Sequence, residues 1–394
     1  MRIPLRKALK PMTMALMLGA PALASADDLK IGALYPLSGA GAISGTPAMQ
    51  GHELAIDQIN AAGGVDGRKI VSFVRDTQLN PSLSAAAARE LITKEGVDVL
   101  VGAVSSAVGI AVAEVAKREQ VPFIAVIAKT IQLTGEKRHD YVFRVANNTD
   151  FEGDAMAELL VAQGKPTYCD IQLDYAYGHD LSAGIARGLE RRHADIELAL
   201  SLRVKLGAQD YSLFVSQIMA AGCEVVTSGL WGLFFVNFAS QAQPFGLFDK
   251  ITLINGGEVG GQEVVGRMGE KFPDNVIGNA YELWYYDSVP AHKPFQQALA
   301  EKTGESATDS NSVLGFTAVQ FVAAAVRAAG STDSAAIAKA LSGLTIETPV
   351  GPRTLDATTH QADTGQFWGP LRMDPGRGQP VMAPPVYIPP MGGQ

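Results

Sequence analysis

From residue 29 onward, short apolar runs alternate with longer amphipathic segments. The runs at 29–34, 70–75, 97–101 and 122–127 are rich in β-branched and other apolar residues, as buried strands are. Thr46-Pro47 opens a helix, with threonine as cap and proline in the first turn, and Gly63-Gly64 stops it after residue 62. The segment 82–95 places Leu83, Ala87, Ala88, Leu91 and Ile92 on one helical face, and 107–118 forms the next helix. After Asn147-Asn148 the alternation restarts. Helices at 151–163, 178–191, 211–221 and 234–243 interleave with strands at 168–173, 198–204, 225–229 and 251–255. A strand at 276–281 and helices at 294–303, 313–329 and 334–344 follow. The end, 374–394, carries six prolines and is expected to be extended and partly mobile. Two successive runs of strand–helix units predict an α/β chain with two doubly wound parallel-sheet lobes. At 394 residues the chain is too long for one ordinary core.

The stretch 98–109, Asp-Val-Leu-Val-Gly-Ala-Val-Ser-Ser-Ala-Val-Gly, is the centre of this pattern. Gly102 ends its strand, and Ser105-Ser106 stand where the next helix begins. Hydroxyls and free backbone N–H groups thus meet at the carboxyl end of a sheet, a favoured place to hold a small anion such as a carboxylate. Two serines at a helix start also suit a plain cap. The rest of the chain decides between these.

Residues 1–26 read as a signal peptide rather than as part of the fold. Arg2, Arg6, Lys7 and Lys10 make a cationic start, 12–23 is mostly apolar, and Ala24-Ser25-Ala26 supplies the small residues of a cleavage site. No cysteine follows that site, which excludes a lipid anchor there, and no later stretch supplies about 20 apolar residues free of charge. The expectation is an exported, soluble protein of a bacterial periplasm. With 47% hydrophobic residues and a mean hydropathy of +0.11, the chain is globular rather than disordered. Its net charge is −8, and losing four of the 32 basic residues with the leader leaves 28 against 40 acidic ones, or −12. Without a basic stripe, nucleic acid is excluded as a partner.

The two cysteines, Cys169 and Cys223, each lie at the start of an apolar run. If those strands are parallel neighbours, both sit at one end of a sheet, where a disulfide is geometrically allowed. Two buried free thiols fit the sequence as well. No C-x-x-C pair or cysteine–histidine cluster supports a metal site. Gly39-Ala-Gly41-Ala-Ile-Ser44 lacks the third glycine of a dinucleotide fingerprint, and neither a phosphate-binding Gly-x-x-x-x-Gly-Lys nor a Gly-x-Ser-x-Gly elbow occurs. The six histidines (His52, His139, His179, His193, His292 and His360) are scattered. The expectation is a protein that is not an enzyme, with no cofactor and no metal.

Several motifs together carry a resemblance. They are Ile31-Gly-Ala-Leu-Tyr-Pro-Leu-Ser-Gly39, Gly51, Ala55, Ile59-Asn-Ala-Ala-Gly-Gly-Val-Asp-Gly-Arg-Lys-Ile70, Arg75-Asp76, Pro81, Leu100-Val-Gly102, Tyr177-Gly178, Val350-Gly351-Pro352 and Leu355-Asp356. Over roughly 28–375 the chain resembles the leucine/isoleucine/valine-type periplasmic binding proteins, the type I solute receptors of ABC importers. The resemblance implies two lobes joined by three crossovers, with ligand held in the cleft between them. One lobe takes 27–146 and 279–350, the other 147–278 and 351–394. Periodicity alone suggests two contiguous halves, so this split belongs to the resemblance.

The resemblance also assigns roles. Ser106 corresponds to the serine that binds the ligand's carboxylate, helped by N–H groups of the following helix, and Ser105 stands ready to add a contact. In the stretch Ile127-Ala128-Lys129-Thr130 the family has a small residue whose carbonyl binds an ammonium, then a threonine for the carboxylate two residues later. Lys129 stands where that threonine is expected, unless the register slips by one and Thr130 serves. Lys129 faces either the cleft, where its charge strengthens carboxylate binding, or solvent. Tyr177 corresponds to an aromatic that closes over the ligand, and Trp231 lies at the cleft mouth. Glu258 resembles the carboxylate that pairs with an α-ammonium; in a closed cleft it needs a cation opposite. Tyr281, Trp284 and Tyr285 are candidates for the side-chain pocket.

These expectations make the chain a solute receptor that closes by a hinge on a small carboxylate-bearing ligand, an apolar or branched-chain amino acid first. An aromatic or aliphatic carboxylate without an amine is the second reading, favoured by Lys129. The partner is an inner-membrane ABC permease, with the protein a monomer; a sensor that presents its closed form to a membrane signalling receptor is the alternative.

Overall fold

A computed structural model describes residues 27–287 and 289–390. The expected signal peptide at 1–26 lies outside the described residues. The first unit consists of β1 (Leu29–Tyr35), α1 (Ala42–Ala61), β2 (Ile70–Asp76), α2 (Pro81–Glu90), β3 (Val99–Gly102), α3 (Ser106–Glu119), β4 (Phe123–Ala125) and β5 (Val142–Arg144). Its five strands are all parallel, in the order β2-β1-β3-β4-β5. Every side chain of β3 is buried, which is why it reads as an unbroken apolar run.

One expectation here is corrected, and one strand was not foreseen. The first helix begins at Ala42, not at Thr46, because a 3-10 turn at Gly39–Gly41 leads into it. Pro47 therefore lies in the second turn, where its missing N–H leaves the Ile43 carbonyl without its usual helical donor. The edge strand β5, of only three residues, had no sequence period to announce it.

The second unit opens with α4 (Thr149–Ala162), whose cap Asn148 accepts from the Phe151 N–H at 2.9 Å. Next come β6 (Thr167–Leu173), α5 (Ala176–Arg191), β7 (Glu197–Val204), α6 (Ser212–Ala221), β8 (Val225–Ser228), α7 (Gly232–Ala242), β9 (Thr252–Asn255), α8 (Gln262–Met268) and β10 (Val276–Ala280). β6 and β8 are parallel neighbours, and the Cys169–Cys223 disulfide forms with its Cα atoms 5.9 Å apart.

The chain then returns. Helices α9 (His292–Thr303), α10 (Asn311–Ala329) and α11 (Ser334–Leu341) pack with the first unit, α10 directly on α1. A Cβ on Gly51 would fall 1.8 Å from the Ser312 carbonyl oxygen, and one on Gly315 1.8 Å from that of Ala48. The two helices thus meet backbone to backbone. By length and composition α10 is apolar enough to cross a membrane, but most of it is buried in the protein. It is apolar nearly all round because it is covered nearly all round.

After a short ribbon of β11 (Thr345–Ile346) and β12 (Arg353–Thr354), β13 (Gln366–Asp374) joins the second sheet antiparallel to β10. β14 (Gln379–Met382) and β15 (Val386–Ile388) pair with β13 in turn, giving the sheet order β14-β13-β10-β9-β8-β6-β7 with β15 to one side. The proline-rich end is therefore paired strand among the described residues, not a loose tail. Its prolines fall at turns or on the edge strand β14, where a missing N–H breaks no ladder.

Candidate functional site

A narrow cleft, partly open to solvent, lies between the two units. Val104, Ser106, Ile127 and Lys129 line it from the loops after β3 and β4; Tyr175, Tyr177, Trp231, Gly257 and Glu258 line it from those after β6, β8 and β9. Ser44 and Asn311, at the starts of α1 and α10, complete the wall. Strands of both sheets thus deliver their carboxyl ends to one space, the usual position of a ligand crevice in open parallel sheets.

The two serines separate. Ser106 faces the cleft at the start of α3, and its Oγ accepts the Thr130 N–H at 3.1 Å, leaving the hydroxyl hydrogen free to donate. Ser105 precedes the helix in extended conformation with its Oγ buried and unpartnered; it makes no side-chain cap and does not line the cleft.

Lys129 faces the cleft, not solvent, with its side chain only 3% exposed. Its Nζ donates to the Glu152 and Glu258 carboxylates, both on the opposite unit, and lies 5.8 Å and 5.3 Å from the ring centres of Tyr177 and Tyr281. Burial pushes its pKa down, against the pull of Glu152. Thr130 turns away from the cleft: its hydroxyl donates to Asp180 on α5, and its carbonyl accepts from Arg144 at 2.5 Å. Lys129, and not Thr130, holds the cleft position. Arg144, at the end of β5, also bonds Thr134 and, at 2.6 Å, Gln361. Burial pushes it down to about 9, and it braces the loop from behind.

On the second unit, Glu258 follows Gly256-Gly257 in left-handed conformation, with φ 55°. Two asparagines from the strand ends hold this turn. Asn255 Oδ1 accepts the Gly257 N–H at 2.6 Å, and Asn279 Oδ1 accepts that of Glu258 at 2.8 Å. Gln366 donates to Glu258 Oε1 at 2.9 Å. Glu152 is fully buried and collects four donors: Lys129, then Tyr177, Asn279 and Gln366 at 3.3 Å each. Burial raises its pKa, and the lysine partly offsets that. Trp231 is 7% exposed, and its Nε1–H donates to the Tyr175 hydroxyl at 3.1 Å, so its polar edge is satisfied.

Tyr281 does not line the cleft. Its hydroxyl donates to Asn147 at 2.7 Å, and its ring backs Lys129. Trp284 and Tyr285 also stand outside it: they bond Gln262 at 3.1 Å and the Met382 N–H at 2.7 Å, under the Arg377 guanidinium, and so secure the C-terminal hairpin. Sequence reasoning missed Glu152, Tyr175, Asn279, Asn311 and Gln366. Glu152 sits in the first turn of α4, where an acid is unremarkable because the helix dipole favours it. Asn279, a polar residue in an apolar strand, was the one visible signal.

The sequence signature of a family described as periplasmic binding protein matches residues 28–369. The chain belongs to that family. A Leu/Ile/Val-binding protein homologue of Brucella melitensis is 30% identical over 346 residues, covering 86% of this chain and 89% of the relative. Another, of Brucella suis, is 28% identical over 357 residues, covering 87% and 88%. Among solved structures, an R. palustris ABC-transporter solute-binding protein in complex with 4-hydroxybenzoate superposes with a TM-score of 0.82 at 20% identity, covering 92% of this chain and 96% of that one. The branched-chain amino acid substrate-binding protein of Streptococcus pneumoniae, in complex with isoleucine, gives 0.79 at 22% identity, covering 92% and 100%. The doubly wound α/β architecture is common to these structures and to this periplasmic binding protein. Among its described residues no group of three or more His, Cys, Asp or Glu side chains could hold a metal ion. Its cleft instead offers hydroxyls, aromatic faces and one lysine held between two carboxylates.

Proposed function

We propose that this periplasmic binding protein captures a small carboxylate in the cleft between its two lobes and hands it to an inner-membrane ABC permease. The observation that carries this reading is Ser106: a free hydroxyl donor at the start of α3, opening into a cleft lined from both units. A carboxylate there meets the unpaired N–H groups and positive end of the helix. Aromatic walls from Tyr175, Tyr177 and Trp231 suit an apolar body. A ligand touching both units favours the closed arrangement through its extra contacts there. The solutes named for the two solved structures, 4-hydroxybenzoate and isoleucine, both carry a carboxylate.

Thermal unfolding with benzoate, 4-hydroxybenzoate, leucine, phenylalanine and their deaminated counterparts tests this. Saturation at 100 times the dissociation constant adds about 2.7 kcal/mol of stability, a clear rise in melting temperature. Ser106→Ala removes a hydrogen bond to a charged group, costing about 1.5–3 kcal/mol, or roughly 10- to 100-fold in affinity. A panel in which no carboxylate raises the melting temperature overturns the reading.

A further inference from the structure

The cleft contains its own ammonium. Lys129 Nζ sits between Glu152 and Glu258, both contributed by the opposite unit, against the faces of Tyr177 and Tyr281. Cation, paired carboxylates and aromatic rings are what a buried α-ammonium would require. We infer that Lys129 is a tethered substitute for a ligand amine, so that the solute is a carboxylate lacking an α-amino group and free α-amino acids are rejected.

Acceptor capacity supports this. Glu152 receives Lys129, Asn279 and Gln366 on one oxygen and Tyr177 on the other, which leaves little for an incoming N–H. Glu258 receives Lys129 and Gln366 on a single oxygen. A ligand ammonium would have to displace Lys129 or lie beside it, and two cations that close repel strongly at the effective dielectric of a protein site. Displacement is hindered because Lys129 is buried and would have to break both carboxylate contacts to leave. A ligand carboxylate instead meets the Ser106 hydroxyl and the start of α3, while the lysine offsets one of the two glutamate charges nearby. The tether has a further consequence. Because the cation belongs to the chain, the cross-cleft ion pairs form without a ligand amine, and closure needs only the acid and apolar parts of the solute.

This inference rests on the carboxylate reading above, and matched ligand pairs separate the two. Titration calorimetry compares leucine with 4-methylpentanoate and phenylalanine with 3-phenylpropanoate, each pair differing only in the amine, with benzoate alongside. In the unaltered protein the amine-free member binds at least tenfold tighter. In Lys129→Met combined with Glu152→Gln, net charge is unchanged and Glu258 remains to take a ligand ammonium. There the preference shrinks at least tenfold as the amino acid gains affinity. An unaltered protein that binds the amino acid as tightly as its partner overturns the inference and leaves the carboxylate reading standing; a folded double variant that keeps the original preference does the same. Failure of every acid, benzoate included, removes the carboxylate reading and this inference with it. The comparison in the unaltered protein needs no variant to fold.

Discussion

Lys129, Glu152 and Glu258 form a buried charge cluster whose members depend on one another. Removing the cation alone strands two buried carboxylates, at a cost of about 3–5 kcal/mol. Lys129→Ala is therefore expected to lower the urea midpoint strongly, and adding Glu152→Gln to recover much of the loss. The pH dependence has a definite sign. Burial already raises the Glu152 pKa, and without the lysine it rises further. A carboxyl group raised in the folded state contributes stability that is full below its unfolded pKa and lost as pH rises through the folded value. The deficit of Lys129→Ala should thus be smaller at about pH 5 than at about pH 8. Equal deficits at both would exclude a charge origin. In the sequence, Ser106, Lys129 and Glu258 were legible because each follows a strand in a recognisable motif. Glu152 was not, because nothing in a helix's first turn says what will pack over it.

Helices α1 and α10 belong to one contact made possible by Gly51 and Gly315. Replacing either by alanine drives a methyl group into a carbonyl of the opposite helix and forces them apart. Overpacking of this kind costs about 1–3 kcal/mol. Thermal unfolding of Gly51→Ala, Gly315→Ala and the pair should show each alone destabilising, and the pair less than additive, since one separation relieves both clashes. Full additivity would mean the two sites yield independently. The Cys169–Cys223 bond closes a loop of 54 residues, worth about 4 kcal/mol by loop entropy. Its double alanine replacement should lower unfolding stability by roughly that amount while ligand affinity changes little, because both cysteines lie at the amino ends of their strands and the cleft at the carboxyl ends. At this scale the strands and helices of the strand–helix repeats were legible from hydropathy, since buried parallel strands and amphipathic helices write different periods. The C-terminal hairpin was not, because its pairing partner β10 lies about 90 residues earlier in the chain.

The whole molecule carries a second contact between its units. Glu263, in the first turn of α8, and Asp309, just before α10, both meet Asn311. Asn311 bridges them, its N–H on Asp309 at 2.7 Å and its side-chain amide on Glu263 at 3.1 Å. Burial raises both pKa values, and the negative charges of Asp309 and Glu282 raise Glu263 further. Protonating carboxyls raised in this way stabilises the observed arrangement fully below the ordinary carboxylate range, and that contribution is lost as pH rises through the raised values. Burial alone would lower the nearby His292, but Glu282 at 3.1 Å holds it above its usual value, and this pair adds to unfolding stability at low pH rather than to closure. Acid should therefore favour the closed form, visible as a falling radius of gyration in X-ray scattering between about pH 8 and pH 5. Glu263→Gln, which needs no proton, should flatten that change. Buried His52, lowered to about 3 by burial, acts in the opposite sense and favours higher pH, but it lies within the first unit and so affects unfolding rather than closure.

Local pattern by itself determined the alternation of strands and helices, the acidic exported character expected of the chain, and the turn that aims Ser106 outward. These are decided by neighbours in sequence, through hydrophobic period, capping and glycine. The tertiary structure alone decided that Lys129 points inward, that Glu152 meets it from the opposite unit, that Ser105 and Tyr281 stand behind the wall, and that the proline-rich end becomes part of a sheet. Each of those outcomes depends on where a distant segment docks, and the free energy of burying a charge or pairing a strand exists only once that partner is in place.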